Sequence, residues 1–375
     1  MSVTTPYYKH CVLRATGAKI ATDMRVSDTR HNRKLTAIDL FSGCGGLTQG
    51  LKNAGFSVLA AVDLEPTAVE TYKMNHPDVR VWDRDIRMLR APEVMRELGL
   101  KKGDLDLLAG CPPCQGFSSM RTHNGKMNIE DDRNDLIFEF LRLVKKLRPK
   151  TVMMENVPGL LTDSRMQKFK EKLERMGYEF GDSPKVLNVA EYGVPQRRRR
   201  MILMASRHGV IPFAPKAATL RTVREAISKL KPQGKSGDEL HDLPEHRSDF
   251  ALRRISLIPK DGGSRMSLPL EYQLECHKRY PQGFKDVYGR MKWDDVSPTI
   301  TGGCTNPSKG RFLHPVENRA ITLREAALLQ TFPLHYKFSL RKGKDGAALM
   351  IGNALPPEFI KRHAEQIKGH LLSVR

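Results

Sequence analysis

The chain is predicted to be α/β, with a doubly wound sheet and a second, smaller irregular domain. Two observations predict this. Short β-like apolar runs alternate with segments of helical periodicity as far as about residue 206, and the polar landmarks of that half fall where the runs end. From about residue 206 to 310 the rhythm fails, and Gly, Pro, His and charge mix with isolated apolar residues.

Leu35–Leu40, Ser57–Val62, Leu105–Ala109, Thr151–Met154 and Met201–Ala205 read as strands, because each is short, apolar and flanked by Gly, Pro or charge. Another short segment ends at Asp85. Leu136, Ile137, Phe140, Leu141, Val144 and Leu147 recur at helical spacing, as do Met166, Phe169, Leu173 and Met176. Thr322-Leu323-Arg324-Glu325 is a capping box that opens a later helix, and a last helix from about Pro357 closes back onto the first domain. The expected organisation is a basic extension over 1–34, an α/β domain over 35–211, an irregular domain over 212–319, and a returning segment over 320–375.

Composition narrows the class. At 375 residues and 39% hydrophobic content there is enough apolar material for a sizeable core. No run approaches the ~18 apolar residues of a membrane span, so a soluble, cytoplasmic protein without a membrane partner is expected. The net charge of +21 points to a polyanion, with nucleic acid first. A merely solvated basic surface is the alternative from charge alone.

Residues 110–118 read Gly-Cys-Pro-Pro-Cys-Gln-Gly-Phe-Ser and follow an apolar run. A proline-stiffened cysteine at a strand end stands where open α/β sheets place their chemistry. Cys111 and Cys114 also form C-x-x-C, which alone suggests a redox pair or half a zinc site. The other four cysteines are scattered, with no second pair to complete a tetrahedron, so no metal is expected. After the first strand comes Phe41-Ser42-Gly43-Cys44-Gly45-Gly46, and Asp63 ends the second strand twenty residues beyond Gly43, where an acid can bind ribose hydroxyls. Thr48 stands where the third glycine of G-x-G-x-x-G would be. That disfavours a nicotinamide dinucleotide and suits a nucleoside without pyrophosphate, such as S-adenosylmethionine.

The ordered set FSGCGG, PPCQGFS, Glu155-Asn156-Val157, Gln196-Arg197-Arg198-Arg199-Arg200 and Gly352-Asn353-Ala354-Leu355-Pro356-Pro357 resembles the cytosine-5 DNA methyltransferases of restriction-modification type. The resemblance runs from Leu35 to the C-terminus, except for the irregular region. It implies a Rossmann-like methyltransferase sheet, an irregular target-recognition domain, S-adenosylmethionine as cofactor and double-stranded DNA as partner, with a short recognition site and base flipping. It further implies Cys114 as the nucleophile on cytosine carbon 6, Glu155 as the acid at N3, Arg198 and Arg200 at the base's O2, Asn156 orienting the cysteine loop, and Gln115 beside the nucleophile. Phe41, Ser42, Gly43, Cys44, Gly45, Gly46, Leu47, Asp63, Leu64, Asp85, Ile86, Pro113, Leu136, Asn353 and Ala354 would line the cofactor site. Asp63 replaces the family's usual Glu, and Leu64 its usual aromatic. Ser118 and Arg121, on a lid-like loop, and Arg265, Arg290, Thr301, Lys309 and Arg311, in the irregular region, are candidate DNA contacts. A monomer is expected, with a cognate restriction endonuclease as a possible companion acting on the same site. The alternatives are a cytosine-5 RNA methyltransferase on the same scaffold, a non-catalytic nucleic-acid binder, and a disulfide oxidoreductase using Cys111 and Cys114.

Overall fold

A computed structural model describes residues 34–113 and 135–374. Residues 34–375 cluster as one compact unit. Among the described residues seven strands form one sheet: β1 (Thr36–Leu40), β2 (Ser57–Asp63), β3 (Arg80–Asp83), β4 (Leu107–Gly110), β5 (Thr151–Asn156), β6 (Lys185–Asn188) and β7 (Arg199–Ser206), in the order β3-β2-β1-β4-β5-β7-β6. β1 to β5 are mutually parallel, and β7 runs antiparallel to both β5 and β6. The five parallel strands therefore end on one edge. The order reverses between β1 and β4, the position where an open α/β sheet leaves a crevice.

The strands form because alternate residues feed two apolar layers. Ala37 faces one layer, with Leu47 and Leu51 of helix Gly46–Asn53 and with Phe359, Ile360 and Ile367 of helix Pro357–Ser373. Ile38 and Leu40 face the other, with Phe140 and Val144 of helix Leu136–Leu147 and Phe169 and Leu173 of helix Ser164–Glu174. Gly50 lets the last helix approach the first closely, since a Cβ there would lie 2.5 Å from the Ile360 Cβ. At the opposite edge of the sheet the fully buried Asp106 accepts from Thr36 N (2.8 Å), Thr36 Oγ1 (3.1 Å) and Lys150 Nζ (2.6 Å), stapling the starts of β1, β4 and β5.

Strand β6 has no counterpart in the sequence reading. It is a four-residue edge strand, half exposed, and its apolar signal is correspondingly short. The segment before Asp85 is β3, with Asp85 capping the 3-10 turn Ile86–Met88. The Thr322 capping box forms: Thr322 Oγ1 accepts from Glu325 N at 3.1 Å, and the Glu325 carboxylate accepts from Thr322 N at 2.8 Å.

The region 212–319 contains short helices and turns, with a small core of Ile255, Ile258, Leu268, Tyr288 and Leu313. A larger apolar cluster ignores the expected boundary at 319. It joins Val223, Ile227, Met291 and Ile300 to Leu323, Leu329, Phe332 and Ile351, and reaches Cys44 of the first glycine loop. Among the described residues no helix is long and apolar enough to cross a membrane.

Candidate active site

The loop after β1 is held in a shape that few side chains could follow. Phe41 and Gly43 have φ values of 59° and 53°, and Gly45 has 93°. A Cβ on Gly45 would lie 2.6 Å from the Tyr336 hydroxyl and 2.8 Å from His76 Nε2; one on Gly46 would lie 2.5 Å from Leu355 O. Gly43, by contrast, has nothing among the described residues within 4 Å of that position, leaving its backbone open to them on one side. Its N–H donates to Asp63 Oδ2 at 2.7 Å, so the end of β2 is tied to the end of β1. Asp63 Oδ1 accepts from Glu65 N at 2.9 Å, and burial raises the Asp63 pKa. Ser42 is buried with its N–H on Val62 O (3.1 Å), Leu47 is in the core, and Leu64 is 61% exposed beyond Asp63.

Contacts from distant chain clamp this loop. Tyr336 donates to Cys44 O at 2.6 Å and meets His76 Nε2 at 3.1 Å, and the Cys44 thiol reaches Met350 O at 3.7 Å. Burial pushes the Cys44 thiol up to about 12, so it serves packing and not nucleophilic chemistry. Gln330 donates to Ile351 O (2.6 Å) and Ala354 O (3.3 Å), holding the Gly352–Ala354 turn; Ala354 is half-buried and Asn353 exposed. Beneath lies Asp39. Its Oδ2 accepts from Thr48 Oγ1 at 2.7 Å, Thr48 meets the Tyr72 hydroxyl at 2.7 Å, and Asp39 Oδ1 is buried with no partner among the described residues. Burial, reinforced by Asp63 and opposed by Thr48, lifts Asp39 to about 7. Asp85 pairs with Arg87 (2.6 Å), which lowers its pKa; Ile86 is buried, and Pro113 and Leu136 are half-buried.

Glu155 and Asn156 end β5. Asn156 Nδ2 donates to Pro112 O at 2.8 Å, fixing the approach to the following cysteine. Cys114, Gln115, Ser118 and Arg121 lie outside the described residues. Glu155 is 6% exposed, and its Oε1 lies 2.8 Å from Arg200 Nε without forming a hydrogen bond. Burial raises the Glu155 pKa, while Arg200 and Arg198 oppose the rise. The Cys111 thiol is pushed well above its usual range by burial and by the adjacent Glu155 carboxyl, which leaves it little thiolate character.

Arg198 is held by main-chain carbonyls. Its Nη1 donates to Ile300 O and Gly352 O, both at 2.9 Å, while its Nε is buried with no partner among the described residues. Burial first, and then Arg200, lower its pKa to about 9. Gln196 lies alongside, donating to Gln330 Oε1 at 2.8 Å and accepting from Ile300 N at 2.9 Å. The arginine-rich motif is therefore a strut joining β7, the 297–300 segment and the Gly352 turn, and only Arg200 reaches Glu155.

Two of the expected DNA contacts are corrected by their surroundings. Arg265 and Arg290 are buried, and their guanidinium groups are spent on carbonyl oxygens: Phe284 and Pro281 for Arg265, Ile258, His314 and Ile255 for Arg290. Arg311 is largely committed as well, to Asp286 and to the carbonyls of Gly262, Gly263 and Arg290. Lys309 is exposed and Thr301 half-buried. Asp39, Gln330, Tyr336 and His76 are absent from the sequence reading. Their partners lie nine to more than two hundred residues away, with no local motif to mark them.

A parallel sheet with an antiparallel β7, a glycine loop tied to the β2 acid, and a buried acid–arginine pair at the same edge define a Rossmann-like methyltransferase. A family model described as C-5 cytosine-specific DNA methylase matches residues 35–369, and the chain belongs to that family. It is 38% identical over 351 residues to the Type II methylase M.HgiDII of Herpetosiphon aurantiacus, covering 89% of this chain and 95% of that protein. It is 33% identical over 361 residues to the Type II methyltransferase M.XorII of Xanthomonas oryzae, covering 88% and 84%. A solved Escherichia coli structure, described as a prophage-encoded DNA modification methyltransferase, matches with a TM-score of 0.65 at 26% identity, over 90% of this chain and all of that one. The Dnmt2 methyltransferase of S. pombe, at 20% identity and a TM-score of 0.57, shares the fold.

Proposed function

We propose that this protein transfers a methyl group from S-adenosylmethionine to carbon 5 of a cytosine rotated out of a short, specific duplex DNA sequence. The observation that carries the reading is Glu155: a buried acid with raised pKa at the end of β5, beside Arg200 and next to the residue that holds the Cys114 approach. The residues at the β1 and β2 ends fit the cofactor, since Gly43 leaves its backbone open and Asp63 retains lone pairs for ribose hydroxyls. When bound, that cofactor supplies an electrophilic methyl on a sulfonium.

The chain's own groups supply the rest. The Cys114 thiolate adds to carbon 6, and electron density moves toward N3 and O2. Glu155, holding its proton because burial disfavours its anion, gives that proton to N3. Arg200 limits the charge that Glu155 then carries. Carbon 5 is then enamine-like and would take the methyl; solvent water accepts the carbon 5 proton, the electron pair left behind re-forms the carbon 5–carbon 6 double bond and expels Cys114 as thiolate, and the N3 proton returns to Glu155. Extruding the base costs a few kcal/mol of stacking and pairing.

This division of labour makes turnover bell-shaped in pH, rising as Cys114 ionises and falling as Glu155 loses its proton. Glu155→Gln is expected to lower kcat about a hundredfold, because an amide can donate a hydrogen bond to N3 but not a proton, and to remove the alkaline limb. An unchanged alkaline limb in the variant would assign that limb to another group. The overall reading is tested by bisulfite sequencing of plasmid DNA from cells expressing the protein. Conversion-resistant cytosines in one recurring sequence are expected; methyl incorporation into RNA alone would overturn it.

A further inference from the structure

The buried Arg265 has a second meaning. Its Nε donates to Phe284 O at 3.3 Å, and its Nη2 to Pro281 O at 3.1 Å and to Gly283 O. Next to it, Ser264 Oγ donates to Lys285 O at 3.2 Å. Four carbonyls of one loop thus hang from a two-residue post. Two turns tighten the loop further, Gly283 N to Tyr280 O (3.0 Å) and Val287 N to Phe284 O (3.2 Å).

What this frame carries faces outward. Phe284 is 84% exposed and Tyr280 72% exposed, and Phe284 sits at φ 48°, a left-handed backbone unusual for an aromatic residue. Arg279 and Lys285 flank the two rings, are exposed, and have no ion pair among the described residues. Burying a guanidinium is costly unless its donors are met, so the post is a substantial commitment to a loop that gives its aromatic rings to no core. Such a commitment suits a binding element whose ordering entropy is lost before the partner arrives. Flat apolar rings between exposed cations, on a chain of net charge +21, complement a polyanion with stacked, methyl-bearing edges.

We propose that Tyr280–Lys285 is the element with which the 212–319 region grips and discriminates duplex DNA, an inference that rests on the DNA-methyltransferase reading. Phe284 and Tyr280 lie against bases, Arg279 and Lys285 meet phosphates, and Arg265 is the positioning residue behind them.

The test uses the full chain and a synthetic duplex carrying the sequence found by bisulfite mapping, together with the same duplex altered at one base pair. Phe284→Ala is expected to raise the DNA Kd and KM roughly tenfold to a hundredfold, to narrow the preference for the intact site, and to leave kcat at saturating DNA and the melting temperature unchanged. Arg279→Ala with Lys285→Ala is expected to weaken both duplexes alike and to flatten the salt dependence. Arg265→Met reproduces the Phe284→Ala binding defect if the post acts through the loop. The proposal is overturned if the Tyr280→Ala, Phe284→Ala double variant keeps wild-type Kd, KM and site choice on a duplex that the wild type methylates. A wild type that binds and methylates no DNA would instead remove the methyltransferase reading, and this inference with it.

Discussion

Cys114→Ser is expected to abolish methyl transfer, lowering turnover by about 10⁴-fold or more while DNA and cofactor binding persist. The reaction needs a nucleophile that is anionic near neutral pH and leaves again as an anion. A thiol meets both demands, and a serine hydroxyl, with its far higher pKa, meets neither. The approach to the residue is already fixed, with Cys111 N on Leu40 O at 3.2 Å and Pro112 O held by Asn156, so the substitution changes the atom and not its tether. DNA containing 5-fluorocytosine gives the sharpest readout. Fluorine cannot leave as a proton does, so wild-type enzyme should remain covalently joined to the base on a denaturing gel, and the serine variant should not. Cys111→Ser supplies the contrast. Burial and Glu155 keep that thiol protonated, so methyl transfer should survive its loss. Loss of activity in both variants, with thiol-dependent turnover in their parent, would revive the oxidoreductase alternative.

The sequence carried the sheet's framework because its parallel strands are buried on both faces and read as short continuous apolar runs. Glu155 was legible for the same reason: a carboxylate directly after such a run, Thr151–Met154, has to stand at the sheet edge. Strand β6 was not, because an edge strand of four residues offers two apolar side chains and no context. Nor can a list of arginines reveal which ones face water. Arg265 and Arg290 look like phosphate ligands in a basic chain, but each finds several carbonyls supplied by turns that local spacing does not announce. Arg198 illustrates the same limit inside a recognised motif. Its place in Gln196–Arg200 was plain, yet its partners, Ile300 and Gly352, lie 102 and 154 residues away and exist only once the chain has closed. The hydrogen bond from Tyr336 to the Cys44 carbonyl, with His76 against the Tyr336 hydroxyl, is equally non-local.

Asp39 gives the second large expected effect, on stability and not on chemistry. It sits on β1 between the parallel strands β2 and β4, with one oxygen bonded to Thr48 and the other without a partner among the described residues, and burial lifts its pKa from 3.8 to about 7. Between those two values the folded chain holds a proton there that the unfolded chain has released. Stability from this group is therefore complete below about pH 4 and is lost as pH rises through 7, a total of about 4 kcal/mol as an upper figure. Asp39→Asn removes the titration and keeps an acceptor for Thr48. Whatever constant offset the amide introduces, the difference in unfolding free energy between variant and wild type should move in the variant's favour by about 2.6 kcal/mol at most from pH 5 to pH 8. Denaturant titrations of both proteins at a series of pH values, without cofactor, measure it. Parallel stability curves across that range would mean that Asp39 is already ionised in the folded chain, and that the open oxygen is met by a donor such as buried water.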